Sequence, residues 1–107
     1  VPCPEVKTGH VVNEEEDFIA IQQAVDKGRN LWRLSPVRTA QVVGSRLLGL
    51  SPNDAYTFVE RYREEGSGLL HAVISVQHRE CTFIVRLYQP VTQGPKGIWV
   101  VASVEEI

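Results

Sequence analysis

The chain of 107 residues carries 11 Lys and Arg against 13 Asp and Glu, a formal net charge of −2, with 43% apolar residues, two cysteines and no methionine. That size suits one domain able to bury its own core. The slight acidic balance argues against a nucleic-acid partner, which usually selects a basic surplus. No apolar run approaches the ~20 residues that a membrane-spanning helix needs.

Residues 1–12 hold Pro2, Pro4 and Gly9 and show neither helical nor strand period, so they read as an extended arm. Residues 13–107 read as a single α+β domain. A chain without Met fits either a mature product, from which a secretory signal has been removed, or a trimmed chain. A lipid-bearing Cys3 is disfavoured, because Val1 and Pro2 do not supply the small residue expected before such a cysteine. Cys3 and Cys81 have no CxxC neighbour and no His at metal spacing, so no zinc site is expected. Two readings remain for the pair: a disulfide fastening the arm to the domain, contributing roughly 4–5 kcal/mol on the chain-entropy model, or two unrelated thiols.

In the first helix Asn13 and Glu16 have capping-box spacing. Glu14 to Asp17 crowd the turn where carboxylates favour the helix dipole. Phe18, Ile21 and Val25 recur at helical spacing, and Lys27 with Gly28 supply the stop. The acidic run lacks the alternating ligands and central Gly of a calcium loop. After a connector around Trp32, Ser35 caps a second helix with Pro36 at its first position. Its stripe is Val37, Ala40, Gly44 and Leu47, widened by Val43 and Leu48, and Gly49 ends it. Gly44 within the stripe suggests close approach of another backbone. Ser51 to Asp54 is turn chemistry.

The remainder reads as sheet. Ala55 to Tyr62 is β-favouring, and Leu69–His78 and Cys81–Tyr88 form a hairpin about Arg79-Glu80. That short loop sets His78 opposite Cys81. One face then pairs Val76 with Phe83, Ile74 with Val85 and Ala72 with Leu87. The other pairs Gln77 with Thr82, Ser75 with Ile84, Val73 with Arg86 and His71 with Tyr88. A fourth strand is expected over Ile98–Val104. The predicted architecture is two N-terminal helices packed on the apolar face of a four-stranded antiparallel meander.

Two places suit recognition. The mixed sheet face offers His71, Val73, Ile84, Arg86 and Tyr88, with Trp99 either joining them or entering the core; that mixture fits a partner or a small acidic ligand. The long loop before the last strand offers Gln89, Val91, Gln93, Gly94 and Lys96. Gln89-Pro90-Val91-Thr92-Gln93-Gly94 is similar to the Gln-x-Val-x-Gly loop of cystatins but has one residue too many. The Pro-Trp pair of the second cystatin loop is missing, and no family assignment follows.

No serine lies in a nucleophile elbow. Gly66-Ser67-Gly68 has no following helix or P-loop Lys to cradle phosphate. His71 and His78 fall on opposite sheet faces by parity, so the histidines do not converge on a metal. Cys81 beside His78 is the one nucleophile arrangement, without an oxyanion hole or third orienting group in view. The expectation is therefore a non-catalytic secreted or cell-envelope domain of bacterial type. It would be a monomer or weak homodimer working through protein or ligand contacts, with no cofactor and no metal. A small-ligand-binding domain with a pocket between helices and sheet is the alternative, and a cysteine-dependent enzyme using Cys81 and His78 stands third.

Overall fold

The computed structural model describes residues 3–4, 6–10 and 17–107. Five antiparallel strands form one sheet in the order β1-β5-β4-β3-β2, where β1 is Gly9–His10, β2 Ala55–Arg63, β3 Leu70–His78, β4 Cys81–Tyr88 and β5 Val100–Glu106. The helices are α1 (Phe18–Asp26) and α2 (Pro36–Val43), and α2 continues as a π-helical turn over Gly44–Leu48. A 3-10 turn, Leu31–Leu34, lies between them. The fold is α+β with an antiparallel sheet, as expected, but with five strands rather than four.

The fifth strand comes from the predicted arm. Gly9 pairs with Val104 and His10 with Ser103, Val6 and Cys3 are buried, and the Lys7 N–H donates to the Leu48 carbonyl at 2.9 Å. Backbone pairing and two buried side chains hold this segment, so no side-chain period announced it.

The β3–β4 hairpin has the expected register at every pair from His71↔Tyr88 to His78↔Cys81. Ala72, Ile74, Val76, Phe83, Val85 and Leu87 are fully buried. Each large apolar side chain so buried contributes about 1.5–3 kcal/mol. α2 lays Ala40, Val37, Val43 and Leu48 on this face. Ser35 caps α2 by accepting from the Arg38 N–H, with Pro36 in the first turn. The π turn advances the helix phase by one residue, so Leu48 is buried and the predicted Leu47 is 57% exposed. Gly44 is indeed crowded, but by a side chain: a Cβ there would stand 2.8 Å from Leu50 Cδ1.

The two helices do not share a face. Val101 lies in the core under α2, whereas its neighbour Val100 clusters with Ile98 and Val25, against Phe18, Ile21 and Tyr88. Adjacent strand residues point to opposite faces, so α1 covers the Tyr88–Val100 end of the other side. The N-cap of α1 is Asp17, whose carboxylate accepts from the Ala20 N–H. The expected cap at Asn13, with Glu14 to Glu16, lies outside the described residues.

β5 starts two residues later than expected because its lead-in amides leave the ladder. Ile98 N–H donates to Gln22 Oε1 at 3.0 Å and Trp99 N–H to the Arg33 carbonyl at 2.9 Å. Glu105 and Glu106, beyond the expected end of the strand at Val104, pair with Ile84 and Phe83. Two bulges adjust the sheet, one at Val59 in β2 and one at Ala102 in β5. The second lets Val101 and Val104 both reach the core three residues apart.

Candidate functional site

The mixed face is organised by a row of rings. Tyr62 lies opposite His71, and His71 opposite Tyr88. The His71 imidazole stacks on Tyr62 at 5.3 Å between centroids and on Tyr88 at 6.0 Å. Such stacked rings add about 0.5–1.5 kcal/mol per pair beyond their burial. Tyr62 was missed in the sequence, because the bulge at Val59 changes which residues of β2 face this side. Glu60 then pairs with Val73 and joins the same surface.

Around the row, Glu64 Oε2 is 3.3 Å from His71 Nε2 and Glu105 Oε2 is 3.6 Å from Arg86 Nη1. Neither approach is aligned as a hydrogen bond: among the described residues His71 Nε2 and Arg86 Nη1 are sealed from solvent without a hydrogen-bond partner. An unmatched buried polar atom costs about 1–3 kcal/mol. Val73 and Ile84 supply apolar surface between the charges, and Val73 is buried. Trp99 does not join them; it is 2% exposed within the core under α2. With Glu60, Glu64 and Glu105 against Arg86, carboxylates outnumber fixed cations on this face, which suits a basic partner better than an acidic one.

The loop before β5 spends its polar groups on itself. Gln89 is fully buried; its Nε2 donates to the Gly94 and Gly97 carbonyls and its Oε1 accepts from the Gly94 N–H. Gln93 Oε1 accepts from Leu70 N–H at 2.6 Å, and Gln93 Nε2 donates to the Gln89 carbonyl. Gln22 in α1 donates to the Lys96 carbonyl. Val91 and Lys96 remain exposed on this loop.

At the far end of the core face, the Cys3 and Cys81 sulfurs stand at bonding distance, with Cα atoms 6.4 Å apart. Beside them His78 Nδ1 is 2.5 Å from Asp54 Oδ2, with side chains 6% and 11% exposed. Asp54 is fixed by the Ser51 N–H at 2.8 Å. Asp54 therefore supplies an orienting group for His78 that the sequence did not reveal, because it sits in a turn-forming Ser-Pro-Asn-Asp segment. Burial, helped by the Asp54 carboxylate, pushes the Tyr56 phenol up to about 12.

A cavity of about 340 Å³ is lined by Val25, Asp26, Leu34 and Lys96. It sits among α1, the 3-10 turn and the loop rather than between helices and sheet. Among the described residues no group of His, Cys, Asp and Glu could hold a metal, and no helix is long and apolar enough to cross a membrane. Comparison with family models, with characterised proteins and with solved structures finds no match for this chain.

Proposed function

We propose that this chain is a non-catalytic recognition domain, fastened by its disulfide and working outside the reducing cytosol, that binds a protein through the face built on Tyr62, His71 and Tyr88. The ring row carries this reading. It spans three strands on the face opposite α2, where α1 packs on its Tyr88 end, its outer member Tyr62 is 39% exposed, and Glu60 in β2 and Glu64 just beyond it flank the row. An aromatic ring between carboxylates favours Lys or Arg, because the cation gains from the ring face and from the charges together. The disulfide supports an oxidising compartment, where such bonds persist.

The test compares wild type with Tyr62→Ala, His71→Ala and Arg86→Ala in affinity capture from an extract of the source organism, with melting curves taken in parallel. A specific partner should be retained by wild type and weakened by roughly tenfold or more in Tyr62→Ala and His71→Ala that still fold, the loss expected at a central contact, whereas Arg86→Ala, which removes a like charge, should not weaken a basic partner. Retention of every captured protein by both folded ring variants would remove this face from consideration.

A second reading rests on the 340 Å³ cavity, whose size falls in the range of small-molecule sites. Asp26 and Lys96 on its rim, with Val25 and Leu34 inside, suit a ligand with an apolar body and charges of both signs. Thermal-shift screening with zwitterionic amino acids separates the two: stabilisation lost in Leu34→Ala supports the cavity, and no stabilisation by any of them sets it aside.

A further inference from the structure

Between Asp26 and Asp54 the chain carries Lys27, Arg29, Arg33, Arg38 and Arg46 and no acidic residue, although its formal net charge is −2. The two bounding carboxylates are engaged, Asp26 with Gln22 Nε2 and Asp54 with His78 and the Ser51 N–H. This basic stretch contains the 3-10 turn, α2 and the π turn, and α2 lies across the sheet from the ring row. A second cavity, of about 200 Å³, opens here between two walls. Trp32 and Arg33 of the 3-10 turn line one, and Val42, Val43, Arg46 and Leu47 the other. The first wall is pinned. Buried Thr39 donates through Oγ1 to the Trp32 carbonyl at 3.3 Å, the Trp99 N–H holds the Arg33 carbonyl, and the Arg33 guanidinium lies 4.6 Å over the Trp32 ring. The π turn shapes the second wall. Its one-residue advance sends Leu48 into the core and leaves Leu47 57% exposed at this cavity, beside an exposed Arg46. Such turns inside helices recur at functional sites, and Leu47 gains no burial from this one.

We propose that this cavity binds a small apolar monocarboxylate, of the arylacetate or short-chain fatty-acid class, whose carboxylate pairs with Arg46 while its hydrocarbon body lies against Trp32, Val42, Val43 and Leu47. The described lining holds two guanidinium groups and no carboxylate, which favours an anion over a cation or a zwitterion. A guanidinium offers a planar fork that matches a carboxylate. Arg33 is engaged with the Trp32 ring, so Arg46 at the exposed rim carries the recognition. The volume falls below the ~300 Å³ at which drug-sized ligands begin, which limits the body to one ring or a short chain. The site is separate from the ring row, and from the cavity at Val25 and Leu34, whose lining sets Asp26 with Lys96.

The full chain, labelled with nitrogen-15, is titrated with phenylacetate and separately with phenethylamine, which carries the same ring on a cation. Phenylacetate should shift the Trp32 indole N–H and the amides of Val43 to Leu47 saturably, with a Kd of roughly 1 mM or below for so few ligand atoms. Phenethylamine should shift none of them. Arg46→Gln should weaken binding by about tenfold, the loss of a charge-assisted hydrogen bond. Leu47→Glu, which sets a carboxylate at the rim, should abolish it. Both residues are exposed, and unchanged β3 and β4 shifts verify that each variant folds. Absence of a saturable shift at Trp32, an equal response to phenethylamine, or undiminished binding by Arg46→Gln overturns the proposal. Shifts confined to Val25 and Leu34 assign the ligand to the other cavity and overturn it as well. A response to phosphatidylglycerol vesicles with none to dissolved phenylacetate overturns it in favour of a membrane contact.

Discussion

His78 Nδ1 and Asp54 Oδ2, 2.5 Å apart, join the last residue of β3 to the turn that leads into β2. Both side chains are largely withdrawn from water, and each depends on the other. Removing one member of a buried pair leaves the other uncompensated, at about 3–5 kcal/mol. Asp54→Ala should therefore cost about 3 kcal/mol or more in urea unfolding, including the loss of the carboxylate that receives the Ser51 N–H. A loss below about 1 kcal/mol would show that the pair contributes little.

Tyr56 reports on the same corner. Its hydroxyl donates to the Ser51 carbonyl at 2.8 Å, and its phenol is raised from 10.0 to about 12 by burial first and Asp54 second. Below about pH 10 the proton is kept in both folded and unfolded chains, and stability does not depend on this group. Between about 10 and 12 the unfolded chain releases the proton while the folded chain holds it, so stability falls as pH rises. Tyr56→Phe should flatten that fall and abolish an ultraviolet phenolate step near pH 12; a step that survives in Tyr56→Phe would refute the assignment.

The loop before β5 is built on Gln89. Gln89→Ala should leave the Gly94 N–H and the Gly97 carbonyl without their partner, at a cost of about 2–3 kcal/mol in denaturant unfolding. Gly97→Ala should be comparably harmful, because a Cβ there would overlap the Thr92 carbonyl. Val91→Ala, on the exposed part of the loop, should change stability by less than about 0.5 kcal/mol. Equal effects from all three would mean that the loop is not organised around Gln89.

The most legible part of the sequence was the β3–β4 hairpin. Both strands alternate, and a one-residue slip would have set Ile74 and Val85 on opposite faces. The caps at Ser35 and Gly49 were legible for the same local reason. What escaped notice depends on distant partners. β1 is two residues long and exists through its pairing with β5 and the anchoring of Cys3. The shift of β5 follows from Gln22 and Arg33 taking the amides of Ile98 and Trp99. Leu48 is buried as expected, and the exposure of Leu47 follows from a π turn that helical spacing does not encode. In the candidate site, His71 and Tyr88 were readable from the hairpin register, whereas Tyr62 was hidden by the bulge at Val59. Trp99 was ambiguous by pattern and joined the core.

The disulfide links the arm to the sheet and grounds the expectation of an oxidising compartment. Loss of both sulfurs in Cys3→Ser/Cys81→Ser should cost about 4–5 kcal/mol on the chain-entropy model. The most direct measurement is a thiol count on freshly isolated native protein, by intact mass after alkylation with and without reductant. The account predicts no alkylation of the monomer before reduction and two added groups after it. Two freely reacting thiols in the native protein would contradict the staple, and with it the proposed compartment.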